Sequence, residues 1–212
     1  MEEQHKKPLS WHVYVAALAA TALVFLIGAG VGWTAASWRA SYVQNRLTSL
    51  FINMLSYTEI ANVQNPCDTS QYVWIMGGEL DKIGERLSQG DYPPYLLNYY
   101  VLLEYKHAEL IRRIKEECNR PVNWIFYFYG PQCSQCDAQA NVLSAVKRLA
   151  QKKIFIYSFR TNLDSPIIQL LKAKYDVNTV PMLVVNGHVL RGLQSAAEIE
   201  KYLDLNNAVS GS

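Results

Sequence analysis

The chain has almost no charge imbalance: 20 Lys and Arg against 18 Asp and Glu leave a formal +2 over 212 residues. That gives no electrostatic case for a nucleic-acid partner, which needs a basic face to neutralise phosphate. A Walker loop, a dinucleotide fingerprint, a zinc-protease helix and a serine-nucleophile elbow are all missing, so the chemistries they serve have no motif here. There are no internal repeats. Cysteine is scarce, with four residues in all. Charge is absent altogether between Val13 and Ser37.

That uncharged stretch sets the expected location. Val13–Trp33 is dominated by Ala, Leu, Val, Ile and Gly. At about 1.5 Å per residue it crosses a hydrocarbon core of about 30 Å. Trp11 and Tyr14 at one end, with Trp33 and Trp38 at the other, suit the interfacial aromatic belts. A cleaved signal peptide competes, because Thr34-Ala35-Ala36 resembles a small-residue cleavage site. The apolar core exceeds the roughly 7–15 residues usual for signal peptides, which favours an uncleaved signal-anchor over 13–37. Lys6 and Lys7 on one side nearly balance Arg39 and Arg46 on the other. Four cysteines in two plausible pairs favour an oxidising compartment for the chain beyond the anchor. Residues 1–12 are therefore expected in the cytoplasm, and the remainder outside it. Gly28 and Gly32 form a GxxxG step through which two anchors would associate as a weak homodimer.

Cys133-Ser134-Gln135-Cys136 carries the chemistry. Ahead of it, Trp124–Tyr129 reads as a buried strand, ended by Gly130-Pro131. Behind it, Cys136, Ala140, Leu143, Val146 and Ala150 recur on one helical face. Two thiols in the first turn of a helix can close a small disulfide ring, and the helix N-terminus stabilises a thiolate. Further on, a strand from Lys153 to Phe159 precedes a short helix opened by Ser165 as N-cap and Pro166. Thr179-Val180-Pro181 then leads into Met182–Val185, and Asn186-Gly187 is a two-residue hairpin signal before His188–Arg191. A last amphipathic helix carries Ile199, Tyr202 and Leu203. The order from residue 121 is β-α-β-α-β-β-α, with parallel pairing expected and an antiparallel edge from the hairpin.

Residues 121–205 resemble the thioredoxin superfamily, on Cys133 and Cys136 after the first strand and Pro181 at the start of the hairpin. The resemblance implies an α/β thioredoxin-like fold, a cis bond before Pro181, and substrate binding by Val180 and Pro181 beside the disulfide. No cofactor and no metal are expected. Departures from the pattern are Gln132 in place of the Trp before the first cysteine, Ser134-Gln135 between the two, and Tyr127 where thioredoxins bury a carboxylate. The redox direction is therefore open.

Residues 40–120 show no strand signal and are expected to form a helical subdomain. Val43, Leu47, Leu50, Met54 and Leu55 make a stripe that continues the anchor helix until Asn65-Pro66. Gln71–Ser88 reads as a second helix, Gly90-Asp91-Tyr92-Pro93-Pro94 as a break, and Tyr95–Cys118 as a third. Leu96, Tyr100, Leu103, His107, Leu110 and Ile114 form its packing seam, with Glu109 placed to pair with Arg112 or Arg113. His107 reads as a packed histidine, with a ligand or proton-transfer role as the alternative. The tyrosines at 92, 95, 99, 100 and 105 read as packing rather than a peptide-binding surface. Residues 206–212 are expected to be a disordered tail.

Cys67 and Cys118 end their segments where an antiparallel helical hairpin would bring them together, so a structural disulfide is expected. A resolving pair that shuttles electrons to the CxxC is one alternative. Four-cysteine zinc binding is weaker, since the spacing supplies one knuckle rather than two. The expected function is a membrane-tethered thiol–disulfide oxidoreductase acting on exported or envelope proteins, with an unidentified redox partner. Cys133 would be the attacking or attacked sulfur and Cys136 the resolving one. A binding or assembly module with structural cysteines, and a redox-linked subunit of a larger membrane complex, are the competing readings.

Overall fold

The structure is a computed structural model and describes residues 11–63, 67, 70–90, 92–150 and 154–204. The tail expected at 206–212, the Asn65-Pro66 stop and the Lys153 strand start fall outside these residues, as does nearly all of the 1–12 tail. Two compact units divide between Gln44 and Asn45, within the long helix α1 (Trp11–Val63).

In the first unit every side chain from Trp11 to Arg39 is exposed. A run of exposed Leu, Val, Phe and Ile this long is tolerated only where something other than water covers it. By length and composition the stretch is apolar enough to cross a membrane, a test that a signal sequence also passes. Its threonine hydroxyls are satisfied within the helix: Thr21 donates to Ala17 O at 2.9 Å, and Thr34 to Val31 O at 3.0 Å.

The second unit begins with the end of α1, where Leu47, Leu50 and Met54 are buried while Leu55 is exposed, so the expected stripe is narrower. α2 (Ser70–Ser88) and α3 (Pro94–Cys118) come next, with Gly90, Tyr92 and Pro93 outside both helices. Pro94 suits the first turn of α3, where its missing N–H costs nothing, and Asn119 in the left-handed region at φ 48° ends it. Two glycines let other groups approach α2 closely. A Cβ on Gly77 would stand 2.3 Å from the Phe155 ring and 3.0 Å from the His107 ring, and one on Gly84 would stand 2.3 Å from the Tyr100 hydroxyl.

Then come β1 (Asn123–Tyr129), α4 (Ser134–Leu149), β2 (Ile154–Arg160), α5 (Pro166–Tyr175), β3 (Met182–Val185), β4 (His188–Arg191) and the short α6 (Ala196–Glu200). The sheet order is β2-β1-β3-β4, with β1 and β2 parallel and the other pairs antiparallel. Two of the three pairings are therefore antiparallel, and β3 pairs directly with β1. At the hairpin, Asn186 and Gly187 have φ of 48° and 97°, a turn that other residues enter with strain.

Alternation splits the sheet into two faces. Ile125, Tyr127, Ile154, Leu183 and Val185 pack under Leu143 and Val146 of α4 and Ile199 of α6. On the other face Phe126, Phe128 and Phe159 make edge and tilted ring contacts, and Tyr175 of α5 joins Phe126 and Phe128. α3 lies on this side, with the His107 ring 5.8 Å from that of Tyr157. Three local expectations need correction. Ala140 is exposed, α6 stops before Tyr202, and Ser165 occupies the N-cap position of α5 without making a side-chain cap bond.

Candidate functional site

The site grows from the end of β1. Its last buried residues are apolar, Gly130-Pro131 leaves the strand, and Gln132 adopts φ 54°, a left-handed conformation costly for a side-chain-bearing residue. That turn delivers Cys133 to the N-cap of α4, where its Sγ accepts from Cys136 N at 3.1 Å. Cys133 and Cys136 form a disulfide, with Cα atoms 5.2 Å apart. The two sulfurs are not equivalent. Cys133 is half-buried at the helix end, while Cys136 is 3% exposed within the core. An N–H aimed at Cys133 Sγ, with the partial positive charge of the helix end, lowers the free energy of a thiolate there.

Tyr127 buttresses the first turn from below: its hydroxyl donates to Cys136 O at 2.7 Å. Burial pushes that phenol up to about 12. The Val180–Pro181 bond is cis. Pro181 O accepts from Gly192 N at 2.9 Å, which ties the loop to the end of β4. Val180 is half-buried and packs on the cluster containing Cys136, as Cys133 does. A Cβ on Gly130 would come within 3.3 Å of Val180 Cγ2, so the Val180 loop and the Gly130 turn are immediate neighbours. The structure thus brings Cys133, Cys136, Val180 and Pro181 together at one end of the sheet.

Cys67 and Cys118 lie elsewhere, bonded to each other with Cα atoms 5.5 Å apart. All four sulfurs are thereby engaged, and no group of three metal-ligating side chains occurs among the described residues. His107 is fully buried, with Nδ1 2.7 Å from the Tyr157 hydroxyl and Nε2 2.8 Å from Val73 O. Burial holds its imidazole down to about 4, so it is neutral and cross-links α2, α3 and β2. Of the expected ion pairs, Glu109 meets Arg112 at 2.8 Å, whereas Arg113 pairs with Glu117.

Sequence reasoning missed Glu104. It is 3% exposed, one turn before His107 on α3. Oε1 accepts from Ser158 N on the outer edge of β2 at 3.2 Å, while Oε2 is buried with no hydrogen-bond partner. The Tyr100 hydroxyl stands beside the carboxyl but donates to Leu80 O at 3.3 Å. Burial pushes Glu104 up to about 8. Glu104 and Cys136 both line a cleft of 720 Å³ between α2, α3 and α4, floored by Tyr127, Tyr129, Ile156 and Ser158. The only sequence signal was a carboxylate beside the apolar seam of α3, which ordinarily reads as a solvated flank.

No protein-family model matches the chain. No curated protein matches it in sequence. Solved structures do align with part of it. A thioredoxin-like protein from Clostridium perfringens is 26% identical over 46% of this chain and 82% of its own, with a TM-score of 0.37. Chloroplastic thioredoxin z is 18% identical over 44% and 83%, with a TM-score of 0.34. Thioredoxin-2, described as a component of malaria parasite protein secretion machinery, is 17% identical over 37% and 77%, with a TM-score of 0.31. The element order, the β2-β1-β3-β4 sheet, the CxxC at the start of α4 and the cis proline opening β3 define a thioredoxin-like α/β domain. A helical region precedes it, and its CxxC disulfide is consistent with thiol–disulfide exchange.

Proposed function

We propose that this chain is a thiol–disulfide oxidoreductase tethered to a membrane through residues 13–37, with its redox domain on the extracytoplasmic side, acting on exported or envelope proteins. The asymmetry of the disulfide carries the reading: Cys133 is reachable at a helix N-terminus, and Cys136 is sealed one turn deeper. A client thiolate attacks the accessible Sγ of Cys133, and the helix end favours the charge that Cys133 bears in the reverse step. Val180 and Pro181 offer strand-end backbone beside the sulfur for an extended client segment. The uncharged, fully exposed start of α1 with its terminal tryptophans supports the tether. An unidentified redox partner returns the disulfide to its working state, Cys67–Cys118 serves as a structural clamp, and GxxxG contacts give at most a weak homodimer.

Trapping tests these roles. Cys136→Ser is expected to accumulate mixed disulfides with client proteins, and Cys133→Ser to accumulate none. Equal trapping by both variants contradicts the assignment.

A further inference from the structure

Exchange through Cys133 needs a place for a proton. When a client thiolate attacks Cys133 Sγ, a client–Cys133 S–S bond forms and the Cys133–Cys136 bond breaks. Its electron pair then resides on the Sγ of Cys136, a buried residue poorly placed for bulk water to stabilise an anion. The cleft beside Cys136 is lined by several groups able to supply a proton, but Asp81, Glu85, Asp137 and Arg160 are exposed to solvent. Asp81 is held by Lys147 at 2.7 Å, and Arg160 bonds Asn162 at 2.9 Å. Tyr100, Tyr127 and Tyr129 have phenols pushed up by burial, so they retain their protons. Glu104 differs from all of these: its Oε1 is occupied by Ser158 N–H, and its buried Oε2 has no partner.

We infer that Glu104, a residue of the helical region rather than of the thioredoxin-like domain, is the proton reservoir for Cys136 across this cleft. This rests on the exchange reading of Cys133 and Cys136. The leaving Cys136 thiolate takes the proton carried on Glu104 Oε2, producing the Cys136 thiol and the Glu104 carboxylate. In the reverse direction the carboxylate takes the proton from Cys136. The Cys136 thiolate then attacks Cys133 Sγ, and the client sulfur departs as a thiolate. Water in so roomy a cleft, lined by Asp81, Glu85, Lys147 and Arg160, relays the proton, and Glu104 acts on the sulfur without touching it, as a positioning residue. Facing its carboxyl are Asp81 of α2, Tyr100 of α3, Tyr129 of β1 and Tyr157 of β2. None of them is a cation that would hold the carboxyl ionised, and its proton is retained to about pH 8. The consequence is a division of labour in which α3 helps set the chemistry of a disulfide carried by another part of the chain.

The test is the pH profile of dithiothreitol reduction of Cys133–Cys136 in the full chain in mild detergent, with rates expressed per attacking thiolate. The unmutated protein is expected to be fast at neutral pH and to slow as pH rises through about 8. Glu104→Gln is expected to be at least about tenfold slower below pH 7, with no break near 8. Glu104→Asp, which keeps a carboxyl, is expected to recover a break at a shifted pH. A folded Glu104→Gln with the unmutated rate and profile overturns the inference. Should Glu104→Gln not fold, the thiolate absorbance of Cys136 in Cys133→Ser is titrated instead. Two interacting steps are expected, and a single step overturns the inference. A disulfide that dithiothreitol cannot reduce in any variant removes the exchange reading itself, an outcome distinct from a reducible disulfide indifferent to Glu104.

Discussion

Replacing both Cys67 and Cys118 by Ser separates a structural clamp from an electron shuttle. The bridge joins the residue just before α2 to the last residue of α3, across 51 positions. In the chain-entropy treatment, closing a loop of that length removes about 14 cal/mol/K from the unfolded ensemble, or about 4 kcal/mol at about 25 °C. With a urea dependence of about 2 kcal/mol per molar, the unfolding midpoint is expected to fall by about 2 M. The assay is urea unfolding of the full chain in mild detergent under oxidising conditions, followed by circular dichroism. Reduction of Cys133–Cys136 by dithiothreitol is measured in parallel without urea. Exchange is expected to survive, because the CxxC ring, Tyr127 and the Val180–Pro181 loop are positioned by the sheet and α4. A midpoint shift below about 0.5 M refutes the clamp argument. Loss of exchange in a chain that remains folded assigns Cys67 and Cys118 to electron transfer instead.

Two further outcomes concern the packing of α2 and α3. Gly77→Ala is expected to cost about 2 kcal/mol, because its Cβ would meet the Phe155 ring at 2.3 Å and a His107 ring pinned through both nitrogens. Gly78→Ala, with nothing within 4 Å, is expected to stabilise by about 1 kcal/mol through helix propensity alone, so paired urea titrations should show opposite signs. His107 is held neutral, lowered from 6.5 to about 4, so the unfolded chain takes up its proton first as pH falls. Its contribution is fully present above pH 6.5 and is lost as pH falls toward about 4, by about 3 kcal/mol. Unfolding titrations at neutral and acidic pH should show that extra acid sensitivity, and His107→Gln should lack it.

The thioredoxin-like half was legible because each of its elements is announced locally. An apolar run ends at Gly130-Pro131, the CxxC opens an amphipathic helix, and Asn186-Gly187 permits the positive φ values of the hairpin. The pairing of β3 against β1 was less visible, since strand order depends on contacts distant in sequence. Ala140 and Leu55 matched the helical period yet face outward, because the packed stripe of each helix is narrower than the period allows. Glu104 was hidden for the opposite reason: its burial is imposed by the docking of α3 on the β2 edge, and nothing in residues 101–107 distinguishes it from a surface glutamate. Gln132 carries no signal for its left-handed backbone, which the turn into α4 imposes.

The central claim, that Cys133–Cys136 is an exchanging disulfide rather than a structural one, is tested most directly by its reduction potential in the full chain, by equilibration with glutathione. The account requires a value between about −120 and −270 mV. The upper part of that range, to about −180 mV, indicates an oxidase or isomerase, and the neighbourhood of −270 mV a reductase. A value below about −300 mV marks a structural bridge that the thiol pool cannot open, and would contradict the account.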